Sequence, residues 1–472
     1  MSYGRPRGGS RRFVFGLVAF LIALAVIAVI GGAVAWFWAA RAEGPTLEIR
    51  QPGKFIGQEA SLELRAVAPD GRFTRIDIEI EQKGQSYPVF TLEQPADTEG
   101  ADQMYVMRPI GKRAIPQLES GPARIVARAS RPLLYGLREA ETTITRDVEV
   151  RLEPPSVAVL STHHFVNHGG AEFVVYRASP ADVESGVRVG DTVYPGFPAS
   201  GAGIGGDTTT RVAFFALLTD QHISTPISLF ARDAAGNEVT APLEHRPFPK
   251  PAARSRIEVD DAFLRRAVPA IASQTPDLNV STAAPDLLAS YLTINRELRK
   301  RNNETIAALT AKTSPRMLWK EAFQQLGNSQ VESRFADHRT YFYKGREIDQ
   351  QVHLGFDLAV TARVPVSAAQ RGTVVHAGYL GIYGNCVVLD HGLGVQSLYA
   401  HLSSIDVKVG APVDRGQVLG RSGMTGLAGG DHLHFTMLVH GRPVNPVDWW
   451  DQKWMQDRVL RKIADAGGSG TP

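Results

Sequence analysis

Residues 432–439 read HLHFTMLV, and this run is the strongest indicator of fold in the 472-residue chain. Its apolar residues predict a buried β-strand. Successive side chains of a strand point to opposite faces, so His432 and His434 share one face and Leu433 lies on the other. Two imidazoles on one face of a buried strand form a short, rigid pair of nitrogen ligands.

A second short motif, HLGFD at residues 353–357, contains His353 and Asp357. Four fully extended residues span about 13 Å, too far for both side chains to bind one ion at about 2 Å. Gly355 argues against a regular helix, and a turn with positive φ at Gly355 would bring the two side chains together. A carboxylate and an imidazole beside a second imidazole form a ligand set that zinc accepts, with a fourth position left for water.

These motifs, with YAHL at 399–402, stand in the order found in lysostaphin-like (LytM-type) zinc metallopeptidases, which the chain resembles over roughly residues 335–450. Further matching motifs are GTVV at 372–375, YGN at 383–385, GQVLG at 416–420 and GMTG at 423–426. The resemblance implies an all-β catalytic domain that hydrolyses peptide bonds of bacterial peptidoglycan. It also implies that His353, Asp357 and His434 bind Zn²⁺, and that His401 and His432 act on the attacking water and the developing oxyanion.

The chain departs from the family pattern beside the second histidine motif. Asp431 stands where the family often has proline, and Thr436 where it often has glutamate. Neither is a ligand position, so the departures bear on substrate detail and not on the metal.

Three functional hypotheses follow from the resemblance. The first is an active zinc endopeptidase that cuts stem peptides or cross-links. The second is a regulator, because some relatives have lost zinc ligands and activate other wall hydrolases. The third is a latent enzyme whose groove is occupied by the helical segment or a β domain until a regulatory protein partner removes it. All five polar positions are intact, which favours the enzyme.

A closed structural zinc site is a further alternative, but such sites usually take a fourth protein ligand, most often cysteine. The single cysteine, Cys386, lies in the apolar run CVVL and is predicted to be a small buried hydrophobe.

The charge balance argues against nucleic-acid binding. With 51 Lys and Arg against 48 Asp and Glu, the net charge is +3, which predicts no nucleic-acid partner.

Residues 13–40 carry no charge and are long enough to cross a membrane of about 30 Å hydrocarbon thickness. Arginines precede this segment, so the N-terminus is expected in the cytoplasm and the later domains in the periplasm or another extracytoplasmic space. A cleaved signal peptide is the alternative, since residues 40–42 read ARA. The apolar run is about twice the usual signal length, which favours an uncleaved single-pass anchor in the cytoplasmic (inner) membrane.

The pattern predicts a multidomain, mainly β protein. Alternating apolar residues predict two β-sandwich-like domains, the second immunoglobulin-like, and a helical period predicts the linker. We interpret the linker's charged side as a solvated face, with docking on the catalytic groove as the alternative. The expected divisions are a cytoplasmic basic tail at 1–12, the anchor at 13–40, β domain 1 at 41–153, β domain 2 at 154–250, the helical linker at 251–332, the zinc peptidase domain at 333–450 and a tail at 451–472.

Two other motifs invite a functional interpretation that the context opposes. GAGIGG at 201–206 matches a dinucleotide fingerprint, but a β-branched run follows where a helix is required. His163, His164 and His168 lack a carboxylate or cysteine at ligand spacing, so we predict solvated loop histidines.

Overall fold

The structure is a computed structural model that describes residues 10–68, 72–92 and 103–468. The chain divides into two compact units. The first contains the residues up to Pro154 and Ala234–Asn237, and the second contains Pro155–Asp233 and the residues from Glu238 onward.

The first unit begins with helix α1, Ser10–Ala39. Its segment Phe15–Ala39 includes a window of mean hydropathy 2.9, none of which is buried. By length and composition α1 could cross a membrane, and an N-terminal signal sequence would have the same properties.

The rest of the first unit is a two-sheet β domain. Its strands are β1 Thr46–Gln51, β2 Phe55–Ile56, β3 Ala60–Val67, β4 Arg75–Gln82, β5 Gln85–Leu92, β6 Gln103–Ile110, β7 Gly121–Leu133 and β8 Arg138–Val150. One sheet has the order β1-β3-β6 and the other β2-β8-β7-β4-β5. Alternate side chains of β3 and β4 are buried in a common core, as their period of two predicts. They include Leu62 and Leu64 of β3 and Ile76 and Ile78 of β4.

The second unit starts with another pair of antiparallel sheets. Its strands are β9 Ser156–Val159, β10 Phe165–Asn167, β11 Ala171–Ser179, β12 Glu184–Val189, β13 Thr192–Pro195, β14 Phe197–Pro198, β15 Thr210–Ala216, β16 Ile227–Arg232, β17 Glu238–Pro242 and β18 Arg246–Phe248. The sheet orders are β14-β15-β11-β9 and β13-β12-β16-β17, and β10 pairs separately with β18. A mainly β chain is therefore confirmed on both sides of Pro154.

A strand and a helical segment come next. They are β19 Arg254–Val259, α2 Asp261–Gln274, a 3₁₀ turn Ala284–Asp286, α3 Leu287–Thr293, a π-helical turn Ile294–Leu298, α4 Arg299–Ala308 and a 3₁₀ turn Leu309–Lys312. Asp260 caps α2, because its carboxylate accepts a hydrogen bond from the Phe263 N–H at 2.7 Å.

The region predicted as the peptidase domain is built from short strands. They are β20 Gln330–Ser333, β21 Asp337–Tyr343, β22 Arg346–His353, β23 Phe356–Ala359, β24 Pro365–Ser367, β25 Gly372–Tyr379, β26 Asn385–Asp390, β27 Val395–Leu402, β28 Ser404–Ile405, β29 Pro412–Val413, β30 Val418–Arg421, β31 His432–Val439 and β32 Arg442–Val444. The main sheet has the order β20-β23-β31-β27-β26-β25-β29, with β32 beside β31. Two smaller sheets, β19-β21-β22 and β24-β30-β28, accompany it.

A C-terminal helical stretch completes the second unit. It contains α5 Pro446–Trp450, α6 Gln452–Met455, a π-helical turn Gln456–Leu460 and α7 Arg461–Asp465. One hydrophobic core runs through this unit, from β11 and β15 to the main sheet that contains β23, β27 and β31. The indole of Trp449 packs against Phe214 at 5.6 Å and Trp319 at 5.8 Å between ring centroids. The segments we distinguished as β domain 2 and peptidase domain thus share their apolar interior.

Candidate metal centre and active site

Strand register positions the second histidine motif opposite Asp357. Strands β23 and β31 are antiparallel neighbours, and Asp357 pairs directly with His434. As predicted, His432 and His434 lie two residues apart on a buried strand, each with 7% of its surface exposed. His353 ends the preceding strand β22 and reaches the same point.

Three side-chain atoms converge there. His353 Nε2 lies 3.0 Å from Asp357 Oδ1 and 3.0 Å from His434 Nδ1, and His434 Nδ1 lies 2.9 Å from Asp357 Oδ1. Within the described part of the chain, this is the single group of histidine, cysteine or acidic residues close enough together to hold a metal ion. Two imidazoles and one carboxylate in a near-equilateral triangle fit a tetrahedral zinc site with one position open.

The remaining polar atoms of these three side chains are hydrogen-bonded to residues outside the group of three. His353 Nδ1 donates to the Arg334 carbonyl at 3.1 Å, and Asp357 Oδ2 accepts from an Arg339 Nη2 at 2.6 Å. Such outer partners fix the tautomer and orientation of metal-binding side chains. They leave His353 Nε2, His434 Nδ1 and Asp357 Oδ1 to face one another.

Thr436 supplies the outer partner of His434. Its hydroxyl donates to the Leu354 carbonyl at 3.0 Å and lies 3.0 Å from His434 Nε2, from which it accepts. Neither this role nor that of Arg339 was predicted from the sequence. A signal existed for Thr436, which lies two residues after His434 and therefore on the same strand face.

The prediction of positive φ at Gly355 was wrong. The φ angle of Gly355 does not lie in the left-handed region. A Cβ at this position would lie 2.6 Å from His434 Nε2 and 2.6 Å from the Thr436 hydroxyl. Glycine is therefore required because a ligand ring packs against its backbone, and the chain needs no unusual dihedral to bring His353 and Asp357 together.

His401 and His432 lie beside the three converging atoms. Their rings are 4.9 Å apart, and the His401 ring is 5.7 Å from that of His434. His401 Nδ1 donates to the Thr425 carbonyl at 2.8 Å, and His432 Nδ1 to the Gly430 carbonyl at 3.0 Å. In His401 the Nε2 atom is therefore left for chemistry, whereas His432 Nε2 lies 3.5 Å from Asp357 Oδ1.

The backbone of His401 is strained. Its φ is 62°, in the left-handed region. For a residue with a Cβ this conformation costs about 1–2 kcal/mol, and strain of this kind clusters at functional sites. Within β27, His401 alone has a left-handed backbone, which marks it as a candidate functional residue.

The electrostatics separate the two flanking histidines. Burial, together with the charges of His432 and His434, holds the pKa of His401 well below its usual range. Burial also lowers the pKa of His432, but a hydrogen bond to Asp357 and its charge outweigh this and raise the pKa above the usual value. Burial opposes ionisation of Asp357, yet the charge and hydrogen bond of His353, with those of the other histidines, hold its pKa well below the usual range.

Residues 351–446 match Peptidase family M23. The chain carries an M23 domain, and all five of these side chains lie within it.

Curated relatives match over the same region. The DD-carboxypeptidase/endopeptidase Mpg of Neisseria meningitidis is 42% identical over 97 residues, which are 21% of this chain and 22% of that protein. The peptidoglycan DD-endopeptidase ShyA of Vibrio cholerae is 45% identical over 93 residues, 20% of this chain and 22% of that protein. The chain thus matches about a fifth of the length of these relatives. The lysostaphin catalytic domain of Staphylococcus simulans is 29% identical, with a TM-score of 0.24, over 28% of this chain and 98% of that structure.

The site of the M23 domain opens into a cleft of about 500 Å³. One wall is the loop that precedes β31, including Leu427 and residues 429–431. Another part of the lining comes from outside the M23 domain, because Phe263 of α2 and Tyr291 of α3 line the cleft. We interpreted the charged side of the helical segment as a solvated face and gave docking on the catalytic groove as the alternative; the structure shows that this segment borders the site.

The rejected motifs carry no site in the structure. A 3₁₀ turn, Ala199–Ala202, overlaps the start of GAGIGG and strand β15 follows it, so these described residues lack the helix that a dinucleotide site requires. His164 corrects our prediction of solvated histidines. It is buried against the Glu244 carbonyl, and burial lowers its pKa to about 4. Cys386 is fully buried, as predicted.

Proposed function

We propose that the chain is a membrane-anchored zinc endopeptidase that hydrolyses stem peptides or peptide cross-links of bacterial peptidoglycan. One observation carries the proposal: His353, Asp357 and His434 converge to about 3.0 Å with their outer atoms already bonded. The relatives that match the M23 domain are named for endopeptidase activity, and ShyA for activity on peptidoglycan.

The donor set fits zinc better than the harder cations. Ca²⁺ and Mg²⁺ take oxygen ligands, whereas this site offers two imidazole nitrogens and one carboxylate oxygen. Zinc held by three protein ligands acidifies water and polarises a carbonyl, so a peptide bond can be hydrolysed without a covalent intermediate.

We assign different tasks to the two flanking histidines. His401 has a lowered pKa and is neutral at neutral pH, so its Nε2 can accept a proton from the attacking water. His432 Nε2 lies 3.5 Å from Asp357 Oδ1, and we assign it to donate a hydrogen bond to the oxyanion that forms on the scissile carbonyl.

Digestion of isolated peptidoglycan by the purified full chain in detergent tests this function. His434→Ala should lose both zinc and hydrolysis. His401→Ala and His432→Ala should retain zinc while the rate falls by about 10²- to 10⁴-fold, the usual contribution of a positioned acid or base. His338→Ala is the matched control, because His338 is exposed in the same region.

Zinc content by elemental analysis and released muropeptides by mass spectrometry are the two readouts. A wild-type chain that binds zinc yet releases no muropeptide would contradict an active hydrolase. Muropeptide release by His434→Ala would contradict the zinc assignment.

For the location, we propose that α1 is an uncleaved span with the N-terminus inside and the later domains outside the cytoplasm. Wall peptides lie on that side of the membrane, and cell-wall hydrolysis by the M23 domain requires it. Fractionation of cells tests this, because the intact chain should sediment with membranes and its M23 domain should be digested by protease added to spheroplasts. A mature form that starts after Ala42 would contradict the anchor.

A latent form of the same enzyme is a second candidate, with the helical segment from 261 to 312 as the restraint. Arg266 of α2 donates to the Ala428 carbonyl at 2.8 Å, and Asn302 of α4 accepts from the Ile382 N–H at 2.9 Å. The helical segment is therefore hydrogen-bonded to both loops beside the cleft. A regulatory protein that displaces it would widen access to the site.

A further inference from the structure

The hairpin between β7 and β8 ends in an exposed apolar tip. Residues 134–137 read LYGL, and we call them the hairpin tip. Tyr135 is fully exposed and Leu137 is 77% exposed. Among the described residues of the first unit, none covers these two side chains.

The backbone of the hairpin tip has a conformation that its residue types disfavour. Three consecutive residues are left-handed, with φ of 49° at Leu134, 60° at Tyr135 and 89° at Gly136. The left-handed region is unfavourable for residues with a Cβ. Two of the three carry large apolar side chains, where glycine, asparagine or aspartate would relieve the strain and suit water better. Strained exposed apolar groups point to a binding role.

The hairpin tip is tied to the last turns of α1. Arg138, the first residue of β8, donates from Nη1 to the Trp36 carbonyl at 3.2 Å. Its guanidinium also lies 5.3 Å from the centre of the Trp36 ring. On the other strand, Arg131 Nε donates to the Glu43 carbonyl at 2.8 Å. Both strands of the hairpin are thus bonded to chain at or just beyond the end of α1.

The end of α1 has the composition of a membrane–water interface. Trp36, Phe37 and Trp38 are 53%, 57% and 74% exposed, and the Arg41 guanidinium lies 4.3 Å from the centre of the Phe37 ring. Aromatic rings followed by cationic side chains are typical of the headgroup level of a bilayer. The hairpin tip lies at this level because Arg138 contacts Trp36.

We propose that the hairpin tip is a second membrane-binding element, which inserts Tyr135 and Leu137 between lipid headgroups next to α1. This inference rests on the proposed membrane span but not on the proposed hydrolysis. A lipid surface is favoured over a protein partner because the tip continues the apolar and aromatic surface at the end of α1. Arg41 and Arg138 beside it suit anionic headgroups.

Site-specific labelling of the full chain in vesicles tests the proposal. The one native cysteine, Cys386, is fully buried, and burial raises its pKa to about 12, so it should resist labelling. Tyr135→Cys and Leu137→Cys therefore each provide a unique site for an environment-sensitive fluorophore. The vesicles contain phosphatidylethanolamine and phosphatidylglycerol, with and without spin-labelled lipid.

Two further positions calibrate the measurement. Val29→Cys lies inside the apolar segment of α1 and reports the span itself. Lys83→Cys lies in the β4–β5 turn, at the opposite end of the same sheet. Glu81 pairs with Arg124, and Leu133 lies nine positions further along the same strand, a distance of about 30 Å.

Labels at 135 and 137 should shift to shorter wavelength on reconstitution and be quenched by spin-labelled lipid, whereas the label at 83 should do neither. Quenching at 29 without quenching at 135 and 137 would overturn the proposal and leave the span intact. Protection of 135 from aqueous iodide without lipid quenching would indicate contact with a second copy of the chain, which also overturns it. Absence of quenching at all four positions would overturn both the span and the tip, while peptidoglycan hydrolysis could still be measured.

Discussion

Gly355 contributes no functional atom, yet its missing side chain allows His434 to pack beside Asp357. A methyl group there would meet the His434 ring and the Thr436 hydroxyl at 2.6 Å. We expect Gly355→Ala to displace His434 and to weaken zinc binding by about tenfold or more, as loss of supporting contacts does at other metal sites. Competition with a zinc chelator measures the change.

Gly378→Ala is the matched control for this substitution. Gly378 lies in β25 of the same domain, and the nearest atom to a Cβ there is 4.0 Å away. Equal zinc affinity of Gly355→Ala and wild type would show that the strand can move aside.

His391 makes stability depend on pH without taking part in the site. The ring is fully buried, its Nδ1 donates to the Arg371 carbonyl at 2.7 Å, and burial lowers its pKa to about 4. In the unfolded chain the pKa is about 6.5, so below that pH the unfolded state binds more protons than the folded state. The free energy of unfolding should therefore fall between pH 6.5 and 4, by up to about 3 kcal/mol for this one group.

Denaturant titrations at several pH values, in chelator, measure this loss. His391→Gln should have a shallower pH dependence over the same interval, whatever its absolute stability. His338→Gln, at an exposed position, should keep the wild-type slope. An unchanged slope in His391→Gln would mean that the charged ring is tolerated in the fold.

At the scale of elements, the helical segment acts as a wall of the catalytic cleft. Buried Asn302 holds α4 against the loop at Ile382 through its side-chain oxygen. Asn302→Ala leaves the Ile382 N–H without this acceptor, at a cost of about 1–3 kcal/mol. If the wall limits access, the rate on insoluble peptidoglycan should rise, while the rate on a short soluble stem peptide should change little.

Lys300→Ala is the control for the wall, since Lys300 is exposed on the same helix. A fall in both rates of Asn302→Ala, with zinc retained, would instead assign the helical segment a supporting role in the active enzyme.

At the scale of the whole molecule, a buried ion pair joins distant parts of the second unit. Lys462 of α7 donates to Glu172 at 2.9 Å and to the Phe173 carbonyl at 2.7 Å, and both charged side chains are almost inaccessible. Lys462→Met leaves the Glu172 charge buried without its partner, which should destabilise the fold by about 3–5 kcal/mol. Urea denaturation measures the difference.

Lys453→Met tests an exposed pair in the same helical stretch. Lys453 contacts Asp457 at 3.0 Å with 85% of its side chain exposed, so its loss should cost at most about 0.5 kcal/mol. Similar effects of the two substitutions would mean that the Lys462–Glu172 pair is solvated in the protein.

Local pattern was sufficient for the mainly β class, the apolar helix α1 and the strand that carries His432 and His434, because strand periodicity and apolar length are properties of short windows. The motif order was sufficient to nominate the five polar side chains of the site. The roles of Arg339 and Thr436 and the burial of His164 were not predictable in this way, because each depends on which strands become neighbours.

The same limit explains Gly355 and the cleft wall. Sequence distinguishes a glycine from other residues but not a positive φ from a close approach, and only the pairing of β23 with β31 decides between them. Periodicity shows that the helical segment has an apolar side, but not which surface that side covers. These features depend on contacts between residues far apart in the chain, and such contacts exist only once the chain has folded.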